Sequence, residues 1–202
     1  MLMRVPRADR SRLLYSFDLH YCTNLRCPLQ VHTAASAIQA ALALNADGPV
    51  CINETGDNTG CGAPGDSTHL LRALLDAELD AGVACFGWMY DPEVLQQCFD
   101  AGVGAKIDVV LGGKLEVEQG LTAADGSAIA GPPIVAQAHV RVLNNGVFPA
   151  RTGSVGSGGM RNLGKMARVT IGNVDVLING SRQQSFDEGA FTFAGIDITR
   201  YK

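Results

Sequence analysis

The sequence predicts an α/β fold on a mixed sheet, with βαβ units in the first half and antiparallel β-hairpins in the second. Two observations carry this expectation. Between Val50 and Leu111, short apolar runs alternate with amphipathic stretches, the order of a strand–helix–strand chain. From Ile134 onward, strict two-residue alternation and glycine turns take over, the pattern of antiparallel strands with one wet face.

Taken in order, residues 1–30 show no clean period, and Cys27-Pro28 reads as a breaker. Residues 1–35 are expected to be an amino-terminal extension or an interdomain-linker remnant. A helix is expected over 33–44, where alanines, Ile38 and Leu42 favour it; the Asn45–Pro49 stretch stops it. Residues 50–53 form a short strand candidate that leads into a glycine-rich loop over 56–65. The next helix, 67–80, carries one stripe of Leu70, Leu71, Leu74, Leu75 and Leu79, with Asp66 or Ser67 as its cap. After Gly82, residues 83–89 read as an apolar strand. Asp91-Pro92-Glu93 opens another helix with a cap, a first-turn proline and an acid at the positive dipole end, and Gly102 ends it. Residues 106–111 return as a strand, which implies parallel pairing across this half. Over 134–143, Ile134, Ala136, Ala138, Val140 and Val142 share one face, with Gln137, His139 and Arg141 on the other. Asn145-Gly146 predicts a hairpin into Val147-Phe148, and Gly172-Asn173 a second between 167–171 and 174–178. The GSVGSGG run, 153–159, is expected to be mobile.

At 47% hydrophobic and 18% charged the chain can bury a core, which excludes wholesale disorder. With 16 Lys+Arg against 20 Asp+Glu, the net charge is -4. A mildly acidic surface argues against nucleic acid as a partner, because phosphate binding needs clustered cations. No apolar run approaches the roughly 20 residues that span a bilayer, so no membrane partner is expected. Arg4, Arg7, Arg10 and Arg12 have no apolar segment behind them and do not make a secretory signal. Six cysteines without a C-x-x-C pair read as reduced thiols in a cytoplasmic protein, with Cys85 and Cys98 as core residues.

Chemistry concentrates between Glu54 and Thr68. Gly60, Gly62 and Gly65 spell G-x-G-x-x-G, and Gly60 to Ser67 resembles a P-loop with Asp66 where the lysine belongs. Both nucleotide readings meet a charge problem, since Asp57 and Asp66 oppose a phosphate. The plainer reading is a loop that turns the chain and uses Asp57, Asn58 and Asp66 to satisfy its own amides.

The same run, Gly56-Asp57-Asn58 followed by Gly60-Cys61-Gly62-Ala63-Pro64-Gly65-Asp66-Ser67-Thr68, resembles the D-N-P-G-G-G-x-P-G-D-[GS]-T segment of MlrC-like (microcystinase C) metallopeptidases. The resemblance continues through Tyr90-Asp91-Pro92-Glu93-Val94, Ala101-Gly102-Val103-Gly104-Ala105 and Leu111-Gly112-Gly113-Lys114. It resumes at Leu163-Gly164-Lys165-Met166-Ala167-Arg168 and at Arg182-Gln183-Gln184-Ser185-Phe186-Asp187, and closes with the segment from Gly195 to Lys202. It covers residues 36–202, with Thr59 and Cys61 replacing the family's proline and middle glycine. It implies a carboxy-terminal accessory domain that lacks the family's last strand region, from a zinc enzyme hydrolysing peptide or amide bonds. The zinc ligands belong to the family's amino-terminal domain, so zinc is implied for the full-length family and none is expected on this chain alone. On this reading the loop binds a peptide or small amide substrate through Asp57, Asn58, Gly60, Gly62, Gly65 and Asp66. Backbone amides would act as donors, and Asn58 as a side-chain donor.

Metal-ligand patterns point the same way. His20, His32, His69 and His139 form neither H-x-x-x-H nor H-E-x-x-H. Asp18-Leu19-His20 resembles the family's D-L-H motif, but no P-H-x-D partner follows, which leaves a metal-site remnant or an ordinary surface pair. There is no G-x-S-x-G elbow. Cys61 reads as an incidental thiol, and Lys114 as a solvated lysine at a strand's carboxyl end. Whether the chain is itself an enzyme stays open. The alternatives are a non-catalytic interaction or folding module, whose open sheet edge could pair into a homo-oligomer, and a nucleotide-binding α/β domain.

Overall fold

The computed structural model describes residues 2–6, 32–44, 47–54, 56–115, 129–150, 159–184 and 187–199, with 2–6 and 47 as backbone alone. Asp18, His20 and most of the 153–159 run lie outside the described residues. Among the described residues, nine strands and four α-helices follow in the order β1 (Leu2–Pro6), α1 (Ala34–Ala43), β2 (Asp47–Cys51), α2 (His69–Asp76), β3 (Cys85–Tyr90), α3 (Pro92–Ala101), β4 (Lys106–Leu111), β5 (Ile134–Asn144), β6 (Val147–Pro149), β7 (Met160–Asn162), β8 (Met166–Ile171), β9 (Val174–Asn179) and α4 (Gly189–Phe193). No helix among the described residues is long and apolar enough to cross a membrane.

The helices form where capping and burial agree. Thr33 caps α1, its hydroxyl accepting from Ser36 N at 3.2 Å, and Ala37, Ile38 and Ala41 face inward. In α2 the leucine stripe buries Leu70, Leu71 and Leu74. Truncating a fully buried leucine such as Leu71 to alanine costs about 3 kcal/mol. Asp91 caps α3 through Val94 N at 3.0 Å, Pro92 occupies the first turn, and Gly102 at φ 82 closes it.

Seven strands make one mixed sheet in the order β2-β1-β3-β9-β8-β5-β4, and β6 pairs with β7 in a small separate ribbon. The mixed α/β architecture is the predicted one, but the parallel contact lies elsewhere. β3 runs parallel to β9, whereas β4 pairs antiparallel with β5 at the sheet's edge. The link from β3 through α3 therefore crosses three strands instead of adding a parallel neighbour. The β2–α2–β3 unit keeps its two strands in the same direction, with β1 inserted between them. The predicted hairpin around Gly172-Asn173 forms as β8–β9. Asn145-Gly146 instead hands the chain to β6, whose partner is β7 and not β5.

Helices α1, α2 and α3 cover one face of the sheet, over a core that includes Leu71, Leu74, Val94, Cys98, Val140, Val169 and Val176. On the other face Cys85 and Leu177 pack with Ala194 and Ile196 beyond α4. Strand alternation explains the division, since Phe86 and Val176 point one way and their neighbours Cys85 and Leu177 the other. At the β4–β5 end the second face is left to solvent, where Val110 and Val135 pair across strands at 48% and 80% exposure.

Candidate functional site

β2, β3 and β9 all run in one direction, because β1 is antiparallel to the first two and β9 is parallel to β3. Their carboxyl ends meet at a cleft of about 270 Å³ lined by Glu54, Asp57, Asn58, Trp88, Tyr90 and Asn179 among others. Carboxyl ends of parallel strands are where α/β sheets hold ligands, because the chain leaves in loops there and side chains converge.

The glycine loop forms one wall, and its carboxylates explain its shape. Asn58 Oδ1 accepts from Gly60 N at 2.9 Å and opens a short 3-10 turn, Thr59–Cys61, that Gly62 closes at φ 92. Asp57 then clamps the far side: Oδ1 accepts from Gly65 N at 2.6 Å and Oδ2 from Ser67 N at 2.7 Å. Gly62 N is held by Thr59 O at 3.2 Å. The amides that a phosphate cradle would present are thus already bonded within the loop, which removes the physical basis for nucleotide binding through this motif. Gly65 sits at φ 84, and a Cβ there would lie 2.5 Å from Thr59 Cγ2, so the loop closes this tightly only with glycine.

The six residues singled out from the sequence part company in space. Asp57, Asn58 and Gly65 line the cleft, while Gly60 lines a neighbouring groove with Arg161 and Arg182. Gly62 is exposed, and Asp66 is 1% exposed behind the loop. Asp66 does not cap α2. Its Oδ2 accepts from Lys114 N at 2.7 Å and Leu115 N at 2.9 Å, and its Oδ1 has no hydrogen-bond partner among the described residues. The α2 N-cap is Thr68, which makes no side-chain cap bond and instead donates from Oγ1 to Pro132 O at 2.9 Å.

Lys114 is not the solvated lysine expected. At 22% exposure it bridges Asp91 at 3.1 Å and Glu93 at 2.6 Å, fastening the turn after β4 to the start of α3. Cys61 is exposed, with Asn58 Nδ2 3.5 Å from its sulfur, and Cys85 and Cys98 are buried. His69 places Nε2 2.9 Å from Ile129 O. Among the described residues no three His, Cys, Asp or Glu side chains converge as a metal would require. The donor set on these residues does not fit a zinc ion.

Glu54 is one of the cleft residues that sequence reasoning missed. Its Oε1 accepts from the Ser67 hydroxyl at 2.5 Å. Burial raises its carboxyl above the ordinary value of 4.5; the Ser67 hydrogen bond pulls it down, and the negative charge of Asp57 adds to the rise. Trp88, Tyr90, Asn179 and Phe191 were missed as well. Trp88 stacks on Phe191 with ring centroids 5.5 Å apart. The chain's one tryptophan is a signal available in the sequence, whereas Asn179 carries none beyond following the apolar run 174–178.

Comparison with known proteins places these features in a family. The family described as "MlrC C-terminus" matches residues 52–202, which takes in the whole cleft-lining loop and β3 through α4. Microcystinase C from Sphingomonas sp. is 29% identical over 149 residues, 74% of this chain and 26% of that protein. The chain therefore spans 26% of the length of this curated relative. A solved structure named "Putative metallopeptidase", from Mesorhizobium sp. BNC1, shares the fold with a TM-score of 0.66 at 20% identity, covering 85% of this chain and 31% of that one.

Proposed function

The chain belongs to the MlrC C-terminus family, and on that premise we propose that it is the substrate-binding domain of a zinc-dependent metallopeptidase that hydrolyses peptide or amide bonds. The observation that carries the reading is a concave, partly aromatic cleft at the carboxyl ends of β2, β3 and β9, walled by a glycine loop that lies within the family match. The similarity to microcystinase C supports peptide-bond chemistry for the whole enzyme. Because the described side chains do not fit zinc, no catalytic step is assigned to this chain. What its own residues do is hold and orient.

Asn58 is the clearest recognition group of the loop. Its Oδ1 is tied to Gly60 N, while its Nδ2 meets only a sulfur at 3.5 Å among the described residues, a weak partner that a substrate carbonyl can replace. Asp57 and Asp66 act one step back by fixing the loop that presents Asn58. Free thiols at Cys51, Cys61 and Cys98 support a reducing, cytoplasmic setting. In a full-length enzyme that carries this chain, Asn58→Ala raises KM several-fold with kcat and metal content kept. Unchanged kinetics would reject the role.

A further inference from the structure

The cleft holds acids and aromatic faces, and no lysine, arginine or histidine lines it among the described residues. Its two acids are not equivalent. Both Asp57 oxygens are taken by loop amides, so Asp57 serves the fold. Glu54 receives the Ser67 hydroxyl on Oε1, and among the described residues none donates to Oε2.

Asn179 adds a second, independent observation. It ends β9 inside the cleft lining, the residue is 1% exposed, and its Oδ1 has no hydrogen-bond partner among the described residues. Buried acceptors are nearly always met by a donor, so an orphan beside a cleft marks a place where a ligand supplies one. The walls are Phe86, Trp88, Tyr90 and Phe191. Arg182 stands over the Tyr90 ring at 5.8 Å, but it lines the neighbouring groove.

We propose that this cleft binds the free α-ammonium group of a peptide or amino-acid amide, with Glu54 as its counter-charge, Asn179 Oδ1 as a second acceptor and the Trp88 and Tyr90 faces around it. The chemistry is selective. An ammonium offers three donors to two acceptors and is drawn to aromatic faces. A carboxylate or phosphate would meet Glu54 as a like charge, and a neutral amide would forgo the attraction that this half-buried carboxylate offers a cation. The inference rests on the peptide-binding reading above and specifies which end of the peptide enters.

Trp88, as the one tryptophan, makes the test direct, because its emission reports on the cleft wall. The full chain is titrated with L-leucinamide, N-acetyl-L-leucinamide and 4-methylpentanoate. The expected result is a saturable change with leucinamide, about tenfold weaker binding of the acetylated amide, and no response to the carboxylate. Glu54→Gln keeps an acceptor for Ser67, and Asn179→Leu keeps the site filled; each is expected to weaken leucinamide binding about tenfold while still melting cooperatively. Equal affinity for leucinamide and its acetylated form, or tighter binding of the carboxylate, would overturn the ammonium assignment and leave peptide binding standing. No response to any of the three would overturn both.

Discussion

The hydroxyl of Ser67 donates to Glu54 Oε1 at 2.5 Å, joining the segment just before α2 to the segment that leaves β2. This bond holds a half-buried carboxylate at the cleft in one orientation. It also opposes the rise that burial imposes on that carboxylate.

A pH-dependent stability follows from the raised Glu54 carboxyl. The folded state binds the proton more tightly than the unfolded chain, so the associated stability is fully present below 4.5 and is lost as pH rises through the folded-state value. Asp57, and His69 with the opposite sign, contribute to the same field. Thermal melts of Glu54→Gln should match the wild type near pH 4 and exceed it at neutral pH. A wild type that stays more stable at neutral pH would contradict the assignment.

Asp91 joins three partners: Val94 N at 3.0 Å, Gly112 N at 3.0 Å and the Lys114 ammonium. At 2% exposure these bonds are poorly replaced by water. Asp91→Ala should lower unfolding free energy by about 3 kcal/mol, read by urea denaturation. Glu93→Gln, on the exposed arm of the same bridge, should leave the midpoint unchanged.

Two loop glycines separate backbone strain from steric clash. Gly62 and Gly65 both have positive φ, but a Cβ at Gly62 meets nothing within 4 Å, whereas one at Gly65 meets Thr59. Gly62→Ala should cost about 1 kcal/mol, and Gly65→Ala about 2 kcal/mol or more. Adding Thr59→Ala should relieve only the Gly65 variant, in a double-mutant cycle followed by denaturation.

Thiol labelling should sort the described cysteines by environment. Burial pushes the Cys98 thiol up to about 11, with Asp91 adding to it, while Cys51 and Cys61 are exposed. Iodoacetamide at pH 8 with peptide mapping should modify Cys51 and Cys61, and should reach Cys85 and Cys98 only after unfolding. Labelling of Cys98 in the folded chain would show that α3 opens.

Much of the fold was legible because local signals and packing agree. The leucine stripe of α2, the Asp91-Pro92 start of α3 and the glycine turn of β8–β9 each depend on neighbours in sequence. Strand partners were not legible. β3 chooses β9 across more than eighty residues, and no local pattern encodes that choice. The site followed the same rule. Asp57 and Asn58 stood out because their bonds lie within the loop, and Asp66 was misread as a helix cap because its partners, Lys114 and Leu115, lie far along the chain. Glu54 and Asn179 acquire meaning only when β2 and β9 end at one cleft.

The most direct test of the account is calorimetric titration of the chain with a short unblocked peptide, once in EDTA and once with equimolar zinc. The account predicts the same saturable binding in both and an intact peptide afterwards, because recognition resides in this chain's own side chains. Binding that requires zinc, or cleavage that tracks bound zinc, would contradict it.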